Sequence, residues 1–182
     1  MAERLADETL AHILDQVVAV DDDDFSSCAD RSPFGKRHWS SANTLFVCKR
    51  WMCVGTPALY HTVILRSNPQ ALSLMRALRK NQFGPYIRKL RLEGWFGTTL
   101  PKIFEASTNM TDICFQTSAT FQDNVDSFCS SIGFVSARRI IIWKSGRSRA
   151  KQWARVHETV QKWLVSIRDP VSTDQELQTI SD

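Results

Sequence analysis

No stretch of this 182-residue sequence stays apolar for more than a few residues, the run from Ile140 to Trp143 being typical of the longest. A helix that crosses a bilayer needs about 20 such residues in a row, so no membrane partner is expected. The first residues, MAERLADETL, alternate charge with apolar side chains and lack the unbroken apolar core of a secretory signal. The expected location is therefore cytoplasmic, nuclear or both. Asn109-Met110-Thr111 matches a glycosylation sequon, but a chain that is not secreted does not meet the enzyme.

Cysteine is sparse and irregular. The five thiols, Cys28, Cys48, Cys53, Cys114 and Cys129, are odd in number and share no spacing, which excludes a regular disulfide framework and predicts reduced, mostly buried side chains. Cys48 and Cys53, with His61 nearby, lack the second ligand pair that structural zinc prefers, so no metal is expected. Catalytic signatures are missing too. There is no glycine-rich phosphate loop, no G-x-S-x-G and no HExxH, and His12, His38, His61 and His157 are scattered. The chain reads as non-enzymatic, with no cofactor.

What is present is a globular composition, 43% hydrophobic and 23% charged, with a net charge of +4. A chain of this length holds one ordinary domain, or a small module and a short second layer. The acidic charge concentrates at Asp21 to Asp24.

The first third is helical. Asp7 is a suitable N-cap, and Leu10, Ile13, Leu14, Val17 and Val18 follow the i, i+3, i+4, i+7, i+8 spacing of an amphipathic helix running to about Ala19. Asp21 to Asp24 repel the negative end of that helix, and from about 20 to 40 the sequence reads as an inserted acidic, then Ser-rich loop. Ser40 or Ser41 caps the next helix, TLFVCKRWMCVG, which is apolar around more than half its circumference. Thr56-Pro57 reads as a cap and first turn, so this helix is expected to stop near Gly55 and another to start at once.

After Tyr60 the period changes. Tyr60/Val63/Leu65, Ile87/Leu90/Leu92, Met110/Ile113/Phe115 and Ala137/Ile140/Ile142 share one spacing, and their central residues recur at intervals of 27, 23 and 27. That is the pattern of a leucine-rich repeat with a short strand at its centre. Helical patterns lie between them. Ser67-Asn68-Pro69 opens one with Ala71, Leu74, Met75 and Leu78 on its face, closing at Asn81 to Gly84. Leu100-Pro101 opens a second, and Asp123 or Asn124 a third with Val125, Phe128, Cys129 and Ile132 on one side. Strand and helix alternating at a fixed period predict a right-handed parallel βα solenoid. A last amphipathic helix, with Trp153, Val156, Val160, Trp163, Leu164 and Ile167 along one face, is suited to cap it before Asp169-Pro170.

The first sixty-five residues resemble an F-box of the fungal kind with a long loop after its first helix. The resemblance rests on Leu5, Asp7-Glu8, Leu10, Ile13-Leu14, then Val47-Cys48-Lys49-Arg50-Trp51, and Pro57 with Leu59-Tyr60. Ala6 departs from the family, which usually has proline there. IRKLRLEG, NMTDICF and DNVDSF with ARRIII are similar to repeat segments of the same fungal proteins, so the likeness extends to about Trp143.

The resemblance implies a substrate-recognition adaptor of a Skp-cullin-F-box ubiquitin ligase. Its helices dock onto the Skp-type adaptor protein, and through it onto a cullin-RING ligase, while the repeats present a target protein. Leu5, Leu10, Ile13, Leu14, Val47, Cys48, Leu59 and Tyr60 are expected at the docking surface or its immediate support, with Trp51 an anchor on either side. The expected fold class is therefore α/β. Residues 1–65 make an F-box-like helical module, 66–168 a short irregular leucine-rich-repeat-like solenoid with its capping helix, and 169–182 a polar tail. Two rivals remain: a repeat-type interaction protein without ligase function, and a basic nucleic-acid-binding protein using Lys144, Arg147, Arg149, Lys151 and Arg155. The helical phase of those basic residues, opposite the tryptophans, is that of a solvated face and argues against the second.

Overall fold

The computed structural model describes residues 5–29, 31–35, 41–116, 125–143 and 150–168. Its architecture is mixed α/β. Four short strands, β1 (Thr62–Leu65), β2 (Lys89–Leu92), β3 (Asp112–Gln116) and β4 (Arg139–Trp143), form one parallel sheet in sequence order. Val63, Leu90, Ile113 and Ile140 stand in one row of the register, and Leu65, Leu92, Phe115 and Ile142 in another. The repeat interval in the sequence thus becomes a straight row across the sheet.

Because side chains alternate along a strand, these two rows share one face. The connecting helices, α4 (Asn68–Asn81), α5 (Thr99–Ala106) and α6 (Asp126–Ser131), bury Ala71, Leu78, Leu100, Ile103, Phe104 and Phe128 against them in the main core. Phe128 lies 4.7 Å from Phe115 and 5.1 Å from Trp95, ring centre to ring centre. A proline in the first turn of α4 and a left-handed residue at its end, Gln82 with φ 55°, mark the expected start and stop. Asp123 and Asn124, expected to open α6, lie outside the described residues. Gly84 is required by close approach, since a Cβ there would collide with the backbone carbonyl of Ala106.

Helix α7 (Ala150–Arg168) packs on α6 and the 3-10 turn Ile132–Phe134. Val156, Val160 and Trp163 are buried there, and the Trp163 indole donates to the carbonyl of Val135 at 3.0 Å. Leu164, expected on the buried face, is exposed, and Trp153 is half-buried. The tail 169–182 lies outside the described residues.

Three expectations about the first third are corrected. Helix α1 (Asp7–Val18) ends one residue early and has no side-chain cap; Ala6 takes the N-cap position, and Asp7 instead turns its carboxylate to Arg50. The acidic run is not merely a terminator. Asp21 accepts the N–H of Asp23 at 2.8 Å and caps α2 (Asp22–Ser26), whose first turn holds three aspartates at the positive end of its dipole.

The third correction concerns Thr44 to Tyr60. A 3-10 helix, Ser41–Val47, precedes the break, which falls at Cys48 in an extended conformation (φ −161°, ψ 169°). Helix α3 (Lys49–His61) then runs unbroken through Gly55, Thr56 and Pro57. Thr56 does not cap; its hydroxyl donates back to the Met52 carbonyl at 2.5 Å. Gly55 is there for packing, because a Cβ would run into the side chains of Leu45 and Leu14. At its end α3 passes straight into β1, so the sheet begins before residue 66.

Candidate interaction surfaces

The helical module encloses a small core of its own. Leu10 and Leu14 of α1 are fully buried with Leu45, and Trp51, Val54 and Leu59 pack half-buried around them. The single apolar stripe read from α1 is therefore two. Leu10, Leu14 and Val18 point inward, whereas Ile13 and Val17, four residues apart on the neighbouring arc, stay in water.

The nine residues expected at the docking surface divide accordingly. Leu5, Ile13 (41% exposed), Val47 (63%) and Cys48 are exposed. Leu10 and Leu14 are core, and Trp51 and Leu59 support that core. Tyr60 belongs to the sheet's side of the molecule, with its ring 4.8 Å from that of Phe83. The sequence reading missed Val17, Phe46 and Met52, all exposed, with Phe46 at 70%. Among the described residues, six of the eleven exposed large apolar side chains lie between Leu5 and Met52. Isolated exposed leucines are ordinary, but here the exposed apolar side chains are concentrated on one small module. Arg50 braces the entry to α1, with Nε 2.7 Å from Asp7 and a further bond to the carbonyl of Leu5.

A second surface lies on the sheet face opposite the helices. Register places Lys89, Asp112 and Arg139 in one row there and Arg91, Cys114 and Ile141 in the next, with Trp143 beside Gln116. This face is covered by the chain's own residues 20–29 and 31–34. Phe25 is fully buried with Cys114 and Trp143, and Val20 and Ile141 pack alongside.

Arg91 is fully buried beneath that segment, which demands partners because a lone buried charge is costly. Its Nη1 donates to the carbonyls of Phe25 (2.7 Å) and Ser27 (2.9 Å), and its Nε to Glu93 (2.8 Å). The guanidinium carbon lies 4.2 Å from the centre of the Trp143 ring and 5.6 Å from that of Phe34. Glu93 also accepts the Ser32 hydroxyl at 2.7 Å, so one carboxylate ties the segment to the strand.

At the other end Asp22 sits between two cations. Its oxygens meet Arg139 at 2.6 and 2.8 Å and Lys89 at 2.7 Å, and Arg139 also pairs with Asp112. The hydrogen bonds from Arg139 and then Lys89 hold the Asp22 carboxyl far below the usual carboxylate range. Asp22 and Asp112 in turn raise Arg139. Burial pushes the Cys114 thiol up to about 11. His61, beside Lys89 in a cleft of about 290 Å³ with Asp15 and Val18, is lowered by burial and then by Lys89 and Arg88.

Other expectations resolve as follows. Cys28, Cys48 and Cys53 are exposed and not buried as expected, and among the described residues no three His, Cys, Asp or Glu side chains are grouped to hold a metal. Of the basic stretch, Lys144 to Arg149 lie outside the described residues, and Arg155 pairs with Asp126. No described helix is long and apolar enough to cross a membrane. No family model, no curated protein and no solved structure matches the chain.

Proposed function

We propose that the chain is a non-catalytic adaptor of the F-box type. Its α1, 3-10 and α3 module docks onto the Skp-type adaptor protein of a cullin-RING ubiquitin ligase, and its parallel sheet belongs to a short leucine-rich-repeat-like solenoid, capped by α7, that carries a target protein. The observation that carries this reading is the concentration of exposed apolar side chains, Leu5, Ile13, Val17, Phe46, Val47 and Met52, on a module whose core is already closed by Leu10, Leu14 and Leu45. The strand rows at 63, 90, 113 and 140 support the repeat part of the reading. Bringing a target lysine close to a ubiquitin-charged enzyme raises its effective concentration, so the adaptor accelerates the reaction without doing chemistry.

The test is co-purification of the full chain with a Skp-type adaptor protein. Ile13→Glu combined with Val47→Glu should abolish the complex, because a charge forced into an apolar interface costs about 2 kcal/mol or more. The same variant should melt within a few degrees of the parent, since both positions are exposed. Leu10→Asp or Leu14→Asp is not a usable test, because both residues are core and the module itself would unfold. Retention of the adaptor by the double variant, or no adaptor bound by the intact chain, would sink the reading.

A further inference from the structure

The segment laid across the sheet makes four kinds of contact, each readable as recognition of a peptide. The Asp22 carboxylate is clamped by Lys89 and Arg139. Three residues on, the Phe25 ring is buried, with Lys89 5.6 Å and Arg139 5.8 Å from its centre. Arg91 takes the backbone carbonyls of Phe25 and Ser27. Glu93 takes the Ser32 hydroxyl.

One feature distinguishes this arrangement from ordinary core: the centre of the covered face is charged, with Arg91 fully buried there. A face made only to be covered needs no buried arginine, because apolar residues of similar volume often stabilise equally or better; here the guanidinium holds a main chain by two carbonyls, while Lys89 and Arg139 read the Asp22 and Phe25 side chains.

We infer that this sheet face, formed by Lys89, Arg91, Arg139 and Trp143, is a recognition site for an acidic-aromatic peptide, a carboxylate followed three residues later by phenylalanine. Residues 20–27 are its resident occupant, displaced when a target supplies the same spacing. The inference deepens the adaptor reading, on which it rests for the role of the target; the peptide contact itself does not depend on the ligase. A tethered occupant acts at an effective concentration of roughly millimolar, so the intact chain should bind such a peptide only weakly.

The probe is a fluorescein-labelled peptide with the sequence of residues 20–27, titrated by anisotropy against the full chain and two variants. Asp22→Ala combined with Phe25→Ala loosens the occupant and should bind the peptide at least tenfold more tightly than the intact chain. Asp22→Asn, which is isosteric and leaves Phe25 in place, should show a smaller gain, and adding Arg139→Ala should remove the gain from either. Thermal melts establish that each variant is folded; if the double variant is not, Asp22→Asn decides. No gain in any folded variant, or equal binding of a scrambled peptide of the same composition, overturns the proposal. Adaptor co-purification from the same preparations separates the two ideas: peptide failure with the adaptor retained sinks only the recognition site, and the converse sinks only the adaptor reading.

Discussion

Asp22 and Arg139, 117 residues apart in the chain, meet in a two-pronged ion pair, Oδ2 to Nη1 at 2.8 Å and Oδ1 to Nη2 at 2.6 Å. This contact closes the longest loop made by any hydrogen bond among the described residues, and it pins the short acidic helix α2 to the last strand of the sheet.

The Asp22 carboxyl is lowered from 3.8 by its two cations, so the folded state binds the Asp22 proton less readily than the unfolded chain. Its stabilisation is therefore full above about pH 4 and is lost as pH falls below 3.8 toward the folded value. Half of the side chain remains in water, so screening limits the contribution to about 1 kcal/mol or less. Asp22→Asn should lower the melting temperature by a few degrees at pH 7, and the difference from the parent should shrink as pH is lowered through 3.8. A constant difference from pH 7 to pH 3 would contradict this account.

Arg91 sits at the other extreme of exposure. Arg91→Ala strands the Glu93 carboxylate and two backbone carbonyls at once, and removal of one partner from a buried pair typically costs about 3–5 kcal/mol. Urea titration followed by circular dichroism should show that loss, and Glu93→Gln in the Arg91→Ala background should cost far less than in the parent. Additive losses would mean that the two residues do not act as a pair.

Gly84→Ala places a methyl group against the Ala106 carbonyl, and backbone there has no rotamer into which to retreat. The expected loss is about 3 kcal/mol, at the upper end for overpacking. The same substitution at Gly133, where a Cβ meets open space, should leave stability within about 1 kcal/mol of the parent.

Thiol labelling distinguishes the buried from the exposed cysteines. Cys114 is fully buried with its thiol pushed up to about 11, so it should resist maleimide at pH 7.5 while Cys28, Cys48 and Cys53 react. Mass spectrometry after a short pulse, with and without denaturant, reads the difference. Labelling of Cys114 in the native chain at the rate of the exposed thiols would show that the segment over the sheet opens readily.

Much of the sheet was legible in advance. Val63, Leu90, Ile113 and Ile140, equivalent in their apolar spacing, stand in one register row of the parallel sheet, and local spacing is what a sequence records well. Long-range covering was not legible. The alternation in KLRL shows that Arg91 faces away from Leu90 and Leu92, yet nothing local reveals that a segment some sixty residues earlier will bury it. The aspartate run misled for a related reason, since the same carboxylates that end one helix by repulsion can begin the next as caps, and only the buried Phe25 decides between them. Thr56-Pro57 carried a genuine start signal that packing overruled: Leu45 and Leu14 close over Gly55, and keeping α3 whole leaves only the proline's missing donor as its defect. For the docking surface, the breadth of the apolar arc on α1 was visible, but its division into core and exposed halves depends on where the 3-10 helix lies.

Helix α3 hands over to β1 between His61 and Thr62 with no spacer. The bearing of α3 on the sheet is consequently fixed by the torsions at that junction together with the Tyr60–Phe83 ring contact beside it. Lengthening that junction by a few glycines would leave the first helices and the strands free to swivel against each other, turning a stiff elbow into a loose one.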